Sequence, residues 1–259
     1  MLPASWAAAT VSAARTPGLE LSVVVPAKNE AANVAPLVDE IVAALDGLTT
    51  FEIIYVDDGS TDTTAEAIAG TAAREPRLRW LRHRRSGGQS AALRTGILAA
   101  RAPLVATLDG DGQNDPADLP ALLRALDDPA TPIPLGLVGG DRSRNRRDTW
   151  IKRRSSRIAN TVRGWILHDR TPDSGCGLKV FRRDVYLLVP FFDHQHRFLP
   201  ALFIREGFAV KSLPVGHRER VRGRSKYGTL DRLAVGVVDL FGVGWLRRRR
   251  RSVSGIDGG

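Results

Sequence analysis

The chain has 259 residues, of which 43% are hydrophobic and 25% charged, with a net charge of +10 and a pI of about 10.7. These proportions belong to a globular protein with a sizeable core, in one large α/β domain or two small ones. The single cysteine, Cys176, excludes an internal disulfide and a thiolate metal cluster, and it fits a reducing compartment.

Residues 1–18 read as a flexible leader: they are alanine-rich, but no positive charge precedes their apolar part as a signal peptide requires. Residues 19–25 predict a strand ending at Pro26, followed by the loop Pro26-Ala-Lys-Asn-Glu30. Val34, Leu37, Val38, Ile41, Val42 and Leu45 then recur at helical spacing, with Pro36 placed in the first turn. Residues 51–56 form the next strand, bounded by Asp57-Asp58-Gly59-Ser60, and Ser60 or Asp62 can cap a helix over 63–73. A strand over 78–81, a turn at Gly87-Gly88-Gln89 and a helical stripe (Ala92, Leu93, Gly96, Ile97, Ala100) follow. Residues 104–108 form a short buried strand that stops at Asp109. Leu119, Leu122, Leu123 and Leu126 mark a short helix, and residues 135–138 a strand. Strands alternating with helices predict a mostly parallel central sheet with helices on both faces. In such sheets ligands sit at the carboxyl ends of the strands, so the loops at 26–30, 57–58 and 109–111 should converge on one rim.

The second half is less regular. A basic loop at 142–147, a helix over 150–166, a turn at Asp173-Ser-Gly-Cys-Gly177, a strand near 178–181, a helix over 198–206 and an extended run over 208–213 lead to a cationic loop at 216–226. Residues 230–246 are mostly apolar, and Asp231, Arg232 and Asp239 fall within about 100° of one another on a helical wheel. Five arginines follow at 247–251. No stretch reaches the ~18 apolar residues of a spanning helix. The terminal helix and its basic tail suit an anionic membrane interface; a core or dimer helix with a solvated tail is the other reading. Charge divides with the chain: residues 1–138 carry a net of −6 and residues 139–259 a net of +16. The basic half should face an anionic partner.

The stretch Leu-Asp109-Gly-Asp111-Gly-Gln113 is the most informative. Two carboxylates one residue apart at the end of a buried strand raise each other's pKa, and a divalent cation removes that cost. Mg²⁺ commonly combines one or two carboxylates with substrate phosphates. Asp and Gly are also ordinary turn residues, and on these residues alone a polar turn fits equally well. His194 and His196 are two apart, but no third ligand accompanies them. Gly87-Gly88-Gln89-Ser90 opens a helix without a phosphate-binding lysine and reads as a structural turn near the ligand rim.

Six blocks carry a resemblance: Val23-Val-Val-Pro-Ala-Lys-Asn-Glu30, Tyr55-Val-Asp-Asp-Gly-Ser-Thr-Asp62, Leu108-Asp-Gly-Asp-Gly-Gln113, Gly140-Asp-Arg142, Ser174-Gly-Cys-Gly177 and Gly223-Arg-Ser-Lys-Tyr227. In this order they resemble family 2 glycosyltransferases, and among them the dolichyl- and polyprenyl-phosphate sugar synthases such as dolichol-phosphate mannosyltransferase. The resemblance implies a GT-A fold over residues 19–228, followed by the amphipathic helix and basic tail at 229–259. It implies an inverting, metal-dependent enzyme using Mg²⁺ or Mn²⁺, a GDP- or UDP-sugar donor, and a dolichyl or undecaprenyl monophosphate as acceptor for mannose or a related hexose. Carried onto this chain, Pro26, Lys28, Glu30, Val56, Asp58 and Arg142 contact the donor. Asp109, Gly110, Asp111 and Gln113 surround the diphosphate, with Asp109, Asp111 and Gln113 toward the metal. Arg220 and Lys226 bind donor diphosphate or acceptor phosphate, and with Asp109 and Asp111 they form the catalytic set. Family members often carry an aromatic where this chain has Lys28, which leaves the nucleobase open. The expected setting is the cytoplasmic face of a membrane, held peripherally, with self-association compatible and no nucleic-acid partner. The rival readings are a soluble glycan acceptor and, suggested by the pI alone, a basic nucleic-acid-binding protein.

Overall fold

The computed structural model describes residues 15–127, 133–143, 163–164, 166–167, 169, 171–218 and 229–250, with backbone alone for 229–235. Seven strands form one sheet: β1 (Leu21–Ala27), β2 (Phe51–Asp57), β3 (Leu78–Arg82), β4 (Leu104–Thr107), β5 (Leu135–Asp141), β6 (Lys179–Arg182) and β7 (Ala209–Pro214). Their order is β3-β2-β1-β4-β6-β5-β7. The helices are α1 (Ala31–Leu45), α2 (Thr64–Ala72), α3 (Gln89–Ala99), α4 (Leu119–Leu126), α5 (Arg183–Leu188), α6 (Leu199–Arg205) and α7 (Thr229–Arg248).

Alternation within each strand divides the core in two. Leu21, Val23 and Val25 of β1 face one layer with α1, α2 and α4; Val24 faces the other, with α3, α5, α6 and Val243 of α7. Strands buried on both faces read as near-continuous apolar runs, which is why β1 and β2 stand out in the sequence. The five buried side chains of α1 (Val34, Leu37, Val38, Ile41, Leu45) each contribute about 1.5–3 kcal/mol on burial.

The mixed character of the sheet comes from β6, which is antiparallel to both β4 and β5, while β5 and β7 pair parallel. The chain leaves β5 at the carboxyl rim and re-enters the sheet at Lys179 on the same rim, so β6 must run back. This start places Lys179 opposite Thr107 and Gly139.

Two local expectations shift. β1 continues through Pro26 to Ala27, because the β4 ladder ends at Val24 and no partner there requires the missing N–H of proline. α1 begins at Ala31, so Pro36 sits in its second turn rather than its first. The early start is fixed by Glu30, whose carbonyl accepts Asn33 N–H at 2.8 Å and whose carboxylate accepts Asn33 Nδ2–H at 2.7 Å.

Truncating Ile41 to alanine is expected to cost about 2–5 kcal/mol in urea unfolding. The same truncation at Leu48, which is 63% exposed, should change stability by less than about 0.5 kcal/mol.

Candidate active site at the carboxyl rim

β1, β2 and β4 are parallel neighbours, so the loops that follow them lie side by side. The first two are laced together. Asn29 adopts a left-handed conformation (φ 56); its N–H donates to Ser60 Oγ at 2.9 Å and its side-chain oxygen accepts Thr61 N–H at 2.8 Å. Glu30 N–H donates to Thr64 Oγ1 at 2.9 Å. Asp62 accepts Thr64 N–H at 3.0 Å and so steadies the start of α2, while Ser60 is committed to Asn29. Asp57 is buried, accepts Ser60 N–H and pairs with Arg82 at 3.0 Å.

Asp58 is buried and its carboxylate is occupied by one turn. It accepts Ser86 Oγ–H at 2.6 Å, Gly87 N–H at 2.8 Å and Gly88 N–H at 2.9 Å, and it lies 2.7 Å from His83 Nδ1. Burial raises its pKa, but these hydrogen bonds outweigh burial and hold it below the usual carboxylate range. Asp58 therefore builds the turn that starts α3. Val56 is fully buried: its side chain packs with Ala92, Leu93 and Ile97 of α3, leaving only main-chain atoms to meet a ligand. Lys28 and Glu30 are partly exposed on the β1 loop.

Asp109 is the centre of the rim. Its N–H donates to Asn114 Oδ1 at 3.0 Å, and its Oδ1 accepts Gln89 Nε2–H at 2.7 Å. Its carboxylate lies flat against Gly177, where a Cβ would fall 2.3 Å from Oδ2 and 2.4 Å from Oδ1. Burial, and then the neighbouring Asp111, push its pKa up; Lys179, Arg142 and the Gln89 hydrogen bond pull the other way. Asp111 Oδ1 accepts Gln113 N–H at 3.1 Å. Gly110 is required by the fold itself, since a Cβ there would meet the Pro26 carbonyl oxygen at 2.7 Å.

Cations ring this acidic centre from the second half of the chain. Arg142, 8% exposed, forms a two-pronged pair with Asp173 (Nε to Oδ2 2.7 Å, Nη2 to Oδ1 3.1 Å). Lys179 is buried and donates to the Cys176 carbonyl; burial lowers its pKa while Cys176, Asp109 and Asp173 raise it. Cys176 is buried, with burial pushing its thiol up, and it receives Asn114 Nδ2–H at 3.9 Å. Arg218 N–H donates to the Gln113 carbonyl at 3.0 Å, and its guanidinium pairs with Glu40 at 2.6 Å and Asp115 at 2.8 Å. Arg220 and Lys226 lie outside the described residues, as do most of the 142–147 loop and of the helix expected over 150–166.

Lys179, Asp173 and Gln89 were not singled out by sequence reasoning. The signal for Lys179 is a lone cation inside an apolar strand, Leu178-Lys-Val-Phe181, a position costly to fill without a partner. Asp173 and Gln89 stood in stretches that read as turns. His194 and His196 do not act together: His194 pairs with Asp239 of α7 at 3.2 Å, whereas His196 Nδ1 lies 2.7 Å from Ser90 Oγ.

Among the described residues no three His, Cys, Asp or Glu side chains are grouped to hold a metal ion. Asp109 and Asp111 are two carboxylates on one rim, and one of them is held against burial and like charge. Such a pair fits a hard divalent cation that takes its remaining oxygens from substrate or water, and that cation would lower the cost the fold imposes on Asp109.

Paired aspartates at the carboxyl rim of an α/β sheet, with the buried cations Arg142 and Lys179 nearby, have the chemistry of a candidate site for a phosphorylated ligand. The family model for glycosyl transferase family 2 matches residues 22–187, and the chain belongs to that family. It is 36% identical over 234 residues to a dodecaprenyl-phosphate galacturonate synthase of Rhizobium johnstonii, covering 89% of this chain and 68% of the relative. It is 34% identical over 212 residues to an undecaprenyl-phosphate 4-deoxy-4-formamido-L-arabinose transferase of Aeromonas hydrophila, covering 81% and 63%. The chain thus spans about two thirds of the length of these relatives. Its fold matches a Pyrobaculum calidifontis mannosyltransferase solved with GDP-Man and Mn²⁺ (TM-score 0.67, 23% identity, 93% of this chain and 68% of that one). It also matches a Mycobacterium tuberculosis glucosyl-3-phosphoglycerate synthase (TM-score 0.66, 21% identity, 89% and 80%).

Asp58→Asn is expected to lose about 1–3 kcal/mol at pH 7, because buried N–H donors lose an ionised acceptor. A carboxylate with a lowered folded pKa stabilises above its unfolded value and loses that contribution as pH falls through the folded one. The gap between wild type and variant in denaturant unfolding should therefore close below about pH 4.

Proposed function

We propose that this glycosyltransferase moves a hexose from a GDP- or UDP-sugar to a polyprenyl monophosphate at the cytoplasmic face of a membrane. The observation that carries the reading is the Asp109–Asp111 pair held at the rim among Arg142, Lys179 and the loop that leads into the basic segment 219–228. The relatives named for polyprenyl-phosphate sugar synthesis support the acceptor class.

The reaction forms a bond from an acceptor phosphate oxygen to the anomeric carbon and breaks the bond from that carbon to the donor diphosphate, with inversion. Asp109 and Asp111 would hold Mg²⁺ or Mn²⁺, with Gln113 beside them. When bound, that ion supplies Lewis-acid stabilisation of the departing diphosphate. Arg142 and, from the 219–228 segment, Arg220 and Lys226 neutralise phosphate charge, for which guanidinium forks are well shaped. Pro26, Lys28, Glu30 and the Val56 backbone line the nucleoside side. Asp58 serves that side through the turn it builds. A phosphate acceptor is already ionised near neutral pH, so no side chain has to deprotonate it; an acceptor hydroxyl would need Asp109 or Asp111 as base.

The membrane reading rests on α7. Val238, Phe241 and Trp245 are 71%, 64% and 58% exposed at helical spacing, while Val243 faces the core. Arg248, Arg249 and Arg250 are exposed beside them, with Arg249 lying 5.7 Å from the Trp245 ring centre. No helix among the described residues is long and apolar enough to cross a membrane. An exposed apolar stripe ending in arginines suits the surface of an anionic bilayer.

Release of nucleoside diphosphate in a screen of GDP- and UDP-sugars is expected to require undecaprenyl phosphate and a divalent cation. Asp111→Ala should lose nearly all turnover while keeping its unfolding midpoint. Turnover with a soluble acceptor and no polyprenyl phosphate would favour the soluble-glycan reading. In flotation with phosphatidylglycerol-rich vesicles, Val238→Asp/Phe241→Asp is expected to stay in solution where the wild type floats; equal flotation would remove α7 as the lipid contact.

A further inference from the structure

The donor rim contains a residue that neither the family motifs nor the expected ligand set assigns: Gln89, the first residue of α3. Its side chain is exposed, and its Nε2–H reaches Asp109 Oδ1 at 2.7 Å across the mouth of the site. What singles it out is how firmly its main chain is held. On one side Asp58 accepts the N–H groups of Gly87 and Gly88 and the hydroxyl of Ser86. On the other, Ser90, 2% exposed, is gripped from 106 residues away: its Oγ lies 2.7 Å from His196 Nδ1 and accepts His196 N–H at 3.3 Å. Burial first, and then the nearby Lys179, Arg197 and His194, push the His196 pKa well below the usual imidazole range. Two clamps thus fix the stretch 86–90, whose Gln89 side-chain amide meets the Asp109 carboxylate.

We infer that Gln89 is a positioning residue: it fixes the rotation of the Asp109 carboxylate, and Ser90 with His196 fixes Gln89. Among the described residues no other side chain hydrogen-bonds the Asp109 carboxylate, and Lys179 and Arg142 act on it through charge. Gly177 supplies a flat floor under both oxygens without a hydrogen bond from a side chain, and Asp111 repels it. With Oδ1 tied to the amide, the carboxylate presents a single face to a ligand. A 2.7 Å hydrogen bond to an ionised oxygen is of the stronger, charge-assisted kind, and a small misplacement of a group around a reacting centre can cost ~10²-fold in rate. The proposal rests on the reading of Asp109 as part of the metal–diphosphate site.

The test uses Gln89→Met, which keeps the side chain's length and removes the N–H, with Ser90→Ala as a variant of the clamp. Mn²⁺ affinity is measured on the 259-residue chain by electron paramagnetic resonance with Mn²⁺ as the sole ligand, alongside kcat, donor KM and the unfolding midpoint. Gln89→Met is expected to weaken Mn²⁺ binding about 3–10-fold and to lower kcat about 10-fold or more, with donor KM and the unfolding midpoint little changed. Ser90→Ala should shift both quantities in the same direction and by less. Unchanged Mn²⁺ affinity and kcat in Gln89→Met would overturn the positioning role. If Asp109→Asn also left Mn²⁺ binding untouched, the reading of the metal site would fail instead. A loss confined to donor KM would make Gln89 a substrate contact and overturn the proposal as well.

Discussion

The rim depends on one electrostatic problem: a partly buried carboxylate, Asp109, follows β4 with a second, Asp111, two residues on. In water two such charges at close range interact by about 1 kcal/mol, and partial burial strengthens that. The fold offsets the cost with positive charge drawn from distant sequence. β6 runs antiparallel, so its first residue, Lys179, arrives on the rim rather than at the far end of the sheet. Arg142 leaves β5 on the same side and is held in place by Asp173. Two cations of the basic half are thereby brought to the acidic rim of the first half.

The same constraint explains the glycines around the pair. Gly110 lets β4 approach the Pro26 carbonyl, and Gly177 lets the Asp109 carboxylate lie against the chain. Either side chain would displace the acidic loop whatever the substrate. The backbone of β1 alone accounts for the glycine between the aspartates, before any ligand is considered.

Much of the parallel half was legible because β1, β2 and β4 are apolar runs ended by Pro, Asp and Gly, and because α1 repeats its apolar positions at helical spacing. Those signals are local, and so the loops that end the strands were placed on the rim correctly. The antiparallel β6 was not legible, since strand direction depends on where the intervening chain returns. Nor was the commitment of Asp58 to the turn at 86–88, or of His196 to Ser90. Each is a contact between segments far apart in the chain, and nothing in a single Asp, His or Ser announces its partner. Val56 was read as a ligand contact by motif, while its burial under α3 follows from strand alternation with Tyr55 on the other face.

α7 joins the same body through Val243 in the core, through Arg205 donating to the Leu246 carbonyl at 3.2 Å, and through the His194–Asp239 pair. It leaves an apolar stripe outward beside its terminal arginines, on the sheet face that also carries α3. Under the proposed function, lipid docking and sugar transfer draw on one scaffold, with the paired aspartates as its chemical centre. Among the described residues two carboxylates, Asp109 and Asp111, stand there, and under the proposed function substrate or water oxygens would complete the cation's coordination. The most direct measurement is therefore Mn²⁺ affinity with and without GDP or UDP, read from the free-ion resonance signal. One of the two nucleotides should tighten Mn²⁺ binding at least tenfold, and Asp111→Asn should abolish the gain. Tight Mn²⁺ binding that neither nucleotide improves, or a gain that survives Asp111→Asn, would contradict a metal–diphosphate site at Asp109 and Asp111.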